Sequence, residues 1–321
     1  MNMLSLYLKE LKENAHSVGD VLDIAYCTLR YGASPVNYTM FGFKNLTGKQ
    51  RATYVTNRMS RKMIKKYNSA AHIDIFEDKA KFATVYSDFF SRSFVITDNL
   101  SWEKFGSFIS GINNAGGGIR RFICKPNGGS QGNGIHVYEN WPDDKKLYDE
   151  IISLGPGYIL EQWIEQHPFI SEMYPKAVNC LRLITVYKDG KANILAGGLT
   201  LGVDSQIANG SHKSIICPVD FETGILNQPG ADSHGGVYEK HPVTGVQILG
   251  VQLPFWDEIT LMLDKAAALV PEVGYVGWDI AITPSGPIII EGNTTPGYRY
   301  YQLPVHKKDG IGNLPRYKKY L

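Results

Sequence analysis

The chain has 321 residues, of which 43% are hydrophobic and 20% are charged, and its formal net charge is +2. This is the composition of a globular protein with enough length for a large core or two lobes, and it argues against a disordered or fibrous chain. A net charge so near zero also disfavours wholesale nucleic-acid binding, which requires the neutralisation of many phosphates.

The cysteine pattern and the N-terminal segment bear on the compartment. The four cysteines are too widely spaced for a zinc-binding pattern and too few for a disulfide framework, which favours a reducing cytosol. Residues 1–16 meet Lys9 and Glu10 too early for the apolar core of a secretory signal, and no apolar run reaches the ~18–20 residues of a spanning helix. We therefore expect a cytoplasmic protein without a transmembrane segment.

Helical patterns dominate roughly the first 75 residues. Leu4, Tyr7, Leu8 and Leu11 have helical spacing, and a longer helical pattern covers residues 47–67. This second pattern gathers basic residues around an apolar stripe: Lys49, Arg51, Arg58, Arg61, Lys62, Lys65 and Lys66. The basic face is that of an ordinary solvated helix or, alternatively, a landing surface for an acidic substrate or for peripheral contact with an anionic membrane.

From residue 119 onward the pattern changes to strands with interleaved helices. IRRFICK, GIHVYE and YILEQWI are typical of strands, and DDKKLYDEIISL between the last two is helical. A long hairpin turning at Asp189-Gly190 follows, then a helix over about residues 254–270. Two such blocks in succession predict an α+β protein of two lobes with a cleft between them.

A glycine-rich segment follows the strand that ends in Lys125. Residues 127–134 read NGGSQGNG, and four glycines in eight residues allow close approach of backbone N–H groups to a polyphosphate. The segment is not a Walker A motif, because Ile135-His136 stands where Lys-Ser/Thr is required. An ordinary hairpin turn is the alternative.

An apolar strand runs into polar groups at residues 158–165, YILEQWIE. Backbone groups and Glu161 there could read an adenine edge, and an acidic residue could hold ribose hydroxyls. The alternative is a strand that leaves the core at an acidic end.

The stretch GWDIAITPSGPIIIEGN, residues 277–293, predicts a β-hairpin around Pro284-Ser285-Gly286. With the turn centred on Ser285, Asp279 lies opposite Glu291, Ile280 opposite Ile290, and Ile282 opposite Ile288. This places the four isoleucines on one face, and Asp279, Ala281, Ile289, Glu291 and Asn293 on the other. Like charges that face each other across a ladder destabilise it, so the two carboxylates require a compensating partner. Pairing of the carboxylates with lysines or solvent is the alternative to a bound cation.

Taken in order, Lys125, the glycine segment, Glu161 to Glu165, Arg182, Asp279, Glu291 and Asn293 resemble the ATP-grasp superfamily. Asp78-Lys79 is similar to the Asp-Lys pair of D-alanine–D-alanine ligases. VNCLRLITV, HPVTG and the hairpin look most like sugar-transfer-associated ATP-grasp proteins, relatives of the teichuronopeptide and α-L-glutamate ligase group. The resemblance covers roughly residues 31–305 and implies an ATP-grasp fold, with two α+β lobes clamping ATP after an N-terminal helical region.

Residue by residue, the resemblance implies that Asp279, Glu291 and Asn293 bind Mg²⁺ bridging the phosphates of ATP. It implies catalytic roles for Arg182, Asn209 and Lys213. The nucleotide would be held by Lys79, Lys125, Gly128, Gly129, Ser130, Gly132, Gly134, Glu161, Gln162, Trp163, Ile164 and Glu165. The sequence departs from its relatives in Leu199 to Gly202 and His212 to Ser214, where they carry RLG and GG, so contacts to the acceptor are poorly defined. Candidates for that site are Asn179, His234, His241 and Arg299; a surface or satisfied loop position is the alternative for each histidine.

The resemblance implies ATP-dependent ligation of a carboxylate to an amine through an acylphosphate, with a sugar acid or amino acid of cell-surface polysaccharide biosynthesis as the small-molecule substrate. A kinase with a hydroxyl acceptor and a non-catalytic nucleotide-binding protein are the alternatives. The expected domains are a helical region over 1–75, a small lobe with the glycine-rich lid over 76–160, a large lobe with the metal site over 161–305 and a tail over 306–321.

Overall fold

Short helices precede two antiparallel sheets in the computed structural model, which describes residues 3–114, 120–129, 134–204 and 214–321. The helices are α1 Met3–Asn14, α2 Val18–Tyr31, α3 Pro35–Met40, α4 Gly48–Arg51, α5 Asn57–Tyr67, α6 Asp74–Glu77, α7 Lys79–Val85, α8 Ser87–Phe90, α9 Trp102–Asn114, α10 Asp144–Ser153, α11 Pro168–Met173, α12 Trp256–Leu269 and α13 Leu314–Tyr317. The strands are β1 Phe94–Ile96, β2 Arg121–Pro126, β3 His136–Glu139, β4 Tyr158–Gln162, β5 Cys180–Lys188, β6 Lys191–Gly202, β7 Ser214–Pro218, β8 Gly230–Ala231, β9 Val237–Tyr238, β10 Tyr275–Thr283 and β11 Gly286–Asn293. The mixed α+β class expected from the sequence is confirmed.

The single helix predicted over residues 47–67 is wrong, because the chain forms α4 and α5 with an irregular segment between them. Tyr54 and Val55 of that segment are buried. Gln302 satisfies the backbone of Val55 from elsewhere in the chain: its Oε1 accepts from the Val55 N–H at 2.9 Å and its Nε2 donates to the Val55 carbonyl at 3.0 Å. A tertiary partner thus replaces the helical hydrogen bonds, and a local pattern does not reveal it.

The strands of the two sheets come from separate, consecutive parts of the chain. The small sheet has four strands in the order β1-β4-β2-β3 and packs against α9 and α10 through a cluster that includes Phe105, Phe122 and Ile151. The large sheet has seven strands in the order β11-β10-β5-β6-β7-β8-β9. One buried cluster joins it to α12, and another joins it to the N-terminal helices through residues such as Ile24, Met63 and Tyr275. The large sheet therefore carries cover on both faces.

The thiols of Cys27, Cys124, Cys180 and Cys217 are all buried. Within the described ranges, no helix combines the length and the apolar character that crossing a bilayer requires.

Candidate functional site

The hairpin β10–β11 brings its acidic residues together. Asp279 is paired with Glu291 in the ladder, as predicted, but the isoleucine pairs are not: Ile280 lies opposite Ile289, and Ile282 opposite Pro287. A bulge at this point leaves Ile290 as the extra residue of β11. The prediction that Ile289 shares the face of Glu291 is therefore wrong; Ile289 is buried in one cluster with Ile280 and Ile282.

In the part of the chain that the structure describes, the negative charge of Glu291 is not balanced by a cation in direct contact with it. Burial, and then the charge of Asp279, raises its pKa, while Lys125, Arg182 and Lys79 act in the opposite direction. Its Oε1 lies 3.4 Å from the amide of Asn293, which also lies 3.5 Å from Asp279 Oδ2. Among the described residues no cation forms an ion pair with Glu291. The carboxylate is thus near three basic side chains without being neutralised by one.

Arg182 binds the Asp279 carboxylate directly, a contact that the sequence did not predict. It lies opposite Asp279 in the β5–β10 ladder, and its Nε and Nη2 donate to both carboxylate oxygens of Asp279. The charge of Asp279 raises the pKa of Arg182 well above its ordinary value. The Asp279 carboxylate thus has the basic partner that the alternative interpretation of the hairpin required, whereas Glu291 does not.

Lys125 on β2 reaches the same region from the small sheet. Its Nζ lies 2.8 Å from Oε1 of Glu161 on β4, and both side chains are almost completely buried. The other carboxylate oxygen of Glu161 accepts from Arg92 at 2.9 and 3.0 Å. Burial opposes ionisation of Glu161, but the charges of Arg92 and Lys125 lower its pKa. The predicted adenine-reading residue is therefore, in this structure, the shared acceptor of two buried cations.

Arg92 was not identified from the sequence, and it connects the two sheets. Besides Glu161, it donates to the carbonyls of Ile289 at 3.1 Å and Ile290 at 3.2 Å, both at the bulge of β11. Its side chain is 3% exposed, and burial lowers its pKa. The only local signal is an isolated arginine in the otherwise uncharged stretch FFSRSFVI.

Lys79 begins α7 and lies at the start of the glycine-rich segment. Its Nζ donates to the carbonyls of Gly129 at 3.0 Å and Asn127 at 3.3 Å. The Asn127 side chain accepts from the Ala80 N–H at 2.9 Å, which fixes this end of the segment to α7. Burial, and then the charge of Lys125, lowers the pKa of Lys79. Both predicted phosphate-binding lysines are therefore among the charges that lower the pKa of Glu291.

The glycine-rich segment and the loop after β6 are described in part. Gly129 and Gly134 have φ of +90° and +74°, a backbone region that glycine occupies without strain, and Gly128 has open space around its Cα. Ser130, Gly132, Asn209 and Lys213, predicted at the nucleotide and catalytic site, lie outside the described residues.

A cavity of about 590 Å³ lies between the end of the small sheet and the hairpin turn. Its wall includes Gln162, Trp163, Ile164 and Glu165, the segment predicted to hold a nucleobase and ribose, together with Arg92. Thr283, Pro284 and Ser285 of the turn form part of the opposite wall. The volume is in the range of small-molecule sites. A second cavity, of about 650 Å³, lies between β1 and α9, and none of the predicted site residues lines it.

Of the acceptor candidates, Asn179 and His241 lie close together, because both contact Gly202, whose N–H donates to Asn179 Oδ1 at 3.4 Å. Asn179 is buried and holds loop backbone: its amide donates to the carbonyls of Ile170 and Tyr174 at 3.0 and 2.8 Å. His241 is also buried, and its Nε2 lies 2.8 Å from the Gly202 carbonyl. Both side chains are committed to backbone groups, so the substrate role predicted for them does not fit the structure. His234 is exposed on a loop, and Arg299 is half-buried beside the Tyr298 ring.

The chemistry of the hairpin suits a hard dication. Two facing carboxylates and an amide oxygen are ligands that Mg²⁺ takes when phosphate oxygens or waters complete its coordination. No group of three or more His, Cys, Asp or Glu side chains within the described part of the chain could hold a metal by itself. These side chains therefore fit a cation that is also coordinated by the phosphate oxygens of a ligand.

The site thus combines Lys125 and Glu161 of the small sheet, Lys79 of α7, and the Asp279–Glu291 pair of the large sheet. Residues 146–311, more than half of the chain, match the family described as sugar-transfer associated ATP-grasp. The chain belongs to this family, which confirms the resemblance drawn from the sequence. No protein of curated function matches it by sequence.

Several solved structures are similar to the chain in fold. The ADP complex of purK, N5-carboxyaminoimidazole ribonucleotide synthetase, has 12% identity and a TM-score of 0.44, over 71% of this chain and 47% of that one. A RimK domain ATP-grasp protein of Sphaerobacter thermophilus has 11% identity and a TM-score of 0.43, over 79% and 71%. The ATP-grasp ligase PsnB with a phosphomimetic variant of its minimal precursor, Mg and ADP has 13% and 0.41, over 88% and 68%.

The present chain thus spans about half the length of the purK structure. Likeness at this level concerns the fold, and the family assignment rests on the sequence match.

Proposed function

We propose that the protein is an ATP-dependent ligase that joins a carboxylate to an amine, with a sugar acid or an amino acid of cell-surface polysaccharide synthesis as its substrate. The observation that carries the proposal is the facing Asp279–Glu291 pair of the β10–β11 hairpin, with Lys125 and Lys79 among the basic groups whose charges act on Glu291. The family description, sugar-transfer associated, supports the substrate class.

In the proposed reaction a carboxylate oxygen of the substrate attacks the γ-phosphorus of ATP, and the bond to the bridging oxygen breaks to release ADP. The amine then attacks the carbonyl carbon of the acylphosphate, loses a proton and displaces phosphate, which leaves the amide. Positioning and charge stabilisation accomplish most of phosphoryl transfer, so the reaction requires no protein nucleophile.

Each residue of the site has a place in this proposal. Lys79 and Lys125 would neutralise phosphate oxygens, and the glycine-rich segment would supply backbone N–H groups. Asp279, Glu291 and Asn293 would hold Mg²⁺, which supplies Lewis-acid stabilisation of phosphate charge when bound. Arg182 fixes Asp279 in the orientation that the site needs, and Gln162 to Glu165 would line the nucleobase pocket.

The test is release of ADP and phosphate from magnesium ATP across a panel of uronic acids, amino acids and amines, with hydroxylamine present to trap the acylphosphate. Without hydroxylamine, a ligase releases phosphate only when acid and amine are both supplied. With hydroxylamine, it yields a hydroxamate and phosphate from the acid alone, because the trap takes the place of the amine. A stable phosphorylated acceptor without phosphate release would show a kinase instead. Nucleotide binding without any turnover across the panel would show a non-catalytic protein.

A further inference from the structure

Helix α2 buries Ile24 and Cys27, as a surface helix does, but the positions of its carboxylates and of its other apolar residues are unusual. Its two carboxylates face inward: Asp20 lies 2.8 Å from Lys44, and Asp23 accepts both terminal nitrogens of Arg51 at 2.7 and 2.8 Å. Its outward face carries Val18, Val21, Leu22, Tyr26 and Leu29. An amphipathic helix normally shows the reverse arrangement, with polar side chains in solvent.

The exposed stripe of α2 is strongly apolar. Val18 is 78% exposed, Leu22 67% and Leu29 79%, and they follow one another at helical spacing. Helix α1 touches α2, since its Tyr7 hydroxyl lies 3.3 Å from the hydroxyl of Thr28, and its Leu4 and Leu8 are also exposed. A contiguous apolar face of this kind is uncommon on a monomer unless it binds something.

A basic stripe begins where the apolar stripe ends. Arg58, at the start of α5, donates to the carbonyls of Thr28, Leu29 and Arg30 in the last turn of α2. Arg61, Lys62 and Lys65 then follow along the exposed face of α5, a helix without any acidic residue. Within the residues that the structure describes, none of these three cations has an ion-pair partner. Apolar and cationic surfaces are therefore continuous across the junction of the two helices.

We infer that α2 and α5 form a peripheral docking surface for an anionic lipid bilayer. Apolar side chains would enter the boundary between headgroups and acyl chains, while the cations of α5 face the negative headgroups. A second copy of the chain is the less suitable occupant, because an isologous contact through this patch would bring two unpaired basic stripes together. The inference does not depend on the reaction proposed above.

The test is co-sedimentation of the whole protein with phosphatidylcholine vesicles that contain or lack phosphatidylglycerol. We expect binding only to the anionic vesicles, and weaker binding at high salt because exposed charges are screened. Arg61→Gln/Lys62→Gln/Lys65→Gln should lower the partition coefficient about 100-fold, since each cation near such a surface contributes about fivefold. Leu22→Glu/Leu29→Glu should lower it at least about tenfold.

Matched controls distinguish this surface from net charge and general hydrophobicity. Lys104→Gln/Lys146→Gln/Lys240→Gln removes the same charge from exposed positions elsewhere, and Leu261→Glu/Leu269→Glu alters exposed leucines of α12; both should bind like the wild type. Loss of binding in the controls, or unchanged binding in the α2 and α5 variants, would overturn the inference. A wild-type dimer that ignores vesicles and that Leu22→Glu/Leu29→Glu dissociates would instead assign the patch to self-association.

Discussion

Asp279 and Glu291 face each other in one ladder, yet their surroundings differ. Both carboxylate oxygens of Asp279 accept hydrogen bonds from Arg182. Glu291, in contrast, has the Asn293 amide at 3.4 Å and no ion pair within the described part of the chain. Removing a negative charge should therefore have opposite effects at the two positions. The sequence places them symmetrically and cannot make this distinction.

Glu291→Gln should stabilise the protein without metal by about 0.5–1 kcal/mol, because it removes a like charge opposite Asp279. Asp279→Asn should destabilise it by roughly 1–3 kcal/mol, since Arg182 loses its partner at a site that is still partly open to solvent. Urea unfolding in the presence of a chelator measures both. Equal effects of one sign would contradict this account, and under the proposed function each variant should also lose turnover.

His241 makes the stability depend on pH. Burial lowers the pKa of His241, and of His306, below the ordinary value of 6.5, so the unfolded chain takes up protons before the folded protein does. Stability should accordingly fall as the pH drops below about 6.5, by at most about 1.4 kcal/mol per pH unit for each histidine. Urea midpoints across this range, compared with those of His241→Gln, check the claim. The variant should show a shallower dependence, and an unchanged slope would exclude His241 as a contributor.

At the scale of elements, the strands and helices after residue 119 agree with their sequence patterns. The hairpin at Asp189-Gly190, helix α10 and helix α12 all fall where periodicity predicts them. The bulge at Ile290 and the break between α4 and α5 were missed because each depends on distant partners. Local propensity does not predict the contacts of Arg92 and Gln302, because these side chains come from elements that are distant in sequence.

Two glycines in regular elements should respond oppositely to substitution. Gly106 lies within α9, where an added Cβ meets nothing within 4 Å, so Gly106→Ala should stabilise by about 0.5–1 kcal/mol. Gly198 lies within β6, where the Cβ would come 2.4 Å from the Cys217 carbonyl, so Gly198→Ala should cost roughly 1–3 kcal/mol. Thermal melts of both variants measure the difference. A loss of stability in Gly106→Ala would show that the interior of α9 is not an ordinary helix.

At the scale of the whole molecule, Arg92 is the buried link between the sheets. Arg92→Met should cost roughly 3–5 kcal/mol, because it removes one of the two cations of a buried carboxylate and leaves the carbonyls of Phe90, Ile289 and Ile290 without this donor. Lys145→Met breaks an exposed pair of the same lobe and should cost less than about 1 kcal/mol.

A double-mutant cycle separates the Arg92–Glu161 pair from general disruption. In Arg92→Met/Glu161→Gln the losses should fall short of the sum of the single variants by about 0.5–3 kcal/mol, as expected for residues in contact. Strict additivity in urea unfolding would contradict a shared network.

The order of the site residues along the chain predicted the family, because the motifs that carry the resemblance are local. The pairing of Asp279 with Glu291 agrees with the prediction only because the bulge shifts the register by one residue, since the turn itself pairs Thr283 with Gly286. The partners of those residues were not predicted. Glu161 proved to hold two cations, and Asn179 and His241 hold loop backbone, since each engages groups that come close only in the folded chain. The acceptor site lacks any local pattern of this kind, and its candidates Asn179 and His241 meet only through the backbone of Gly202.

The bulge of β11 and Arg92 depend on each other. Successive carbonyls of a regular strand point to opposite sides, so one guanidinium could not donate hydrogen bonds to both. The extra residue at Ile290 turns two consecutive carbonyls toward Arg92. Natural relatives should therefore gain or lose the two features together: a chain with one residue fewer in this strand is expected to carry a different amino acid in place of the arginine.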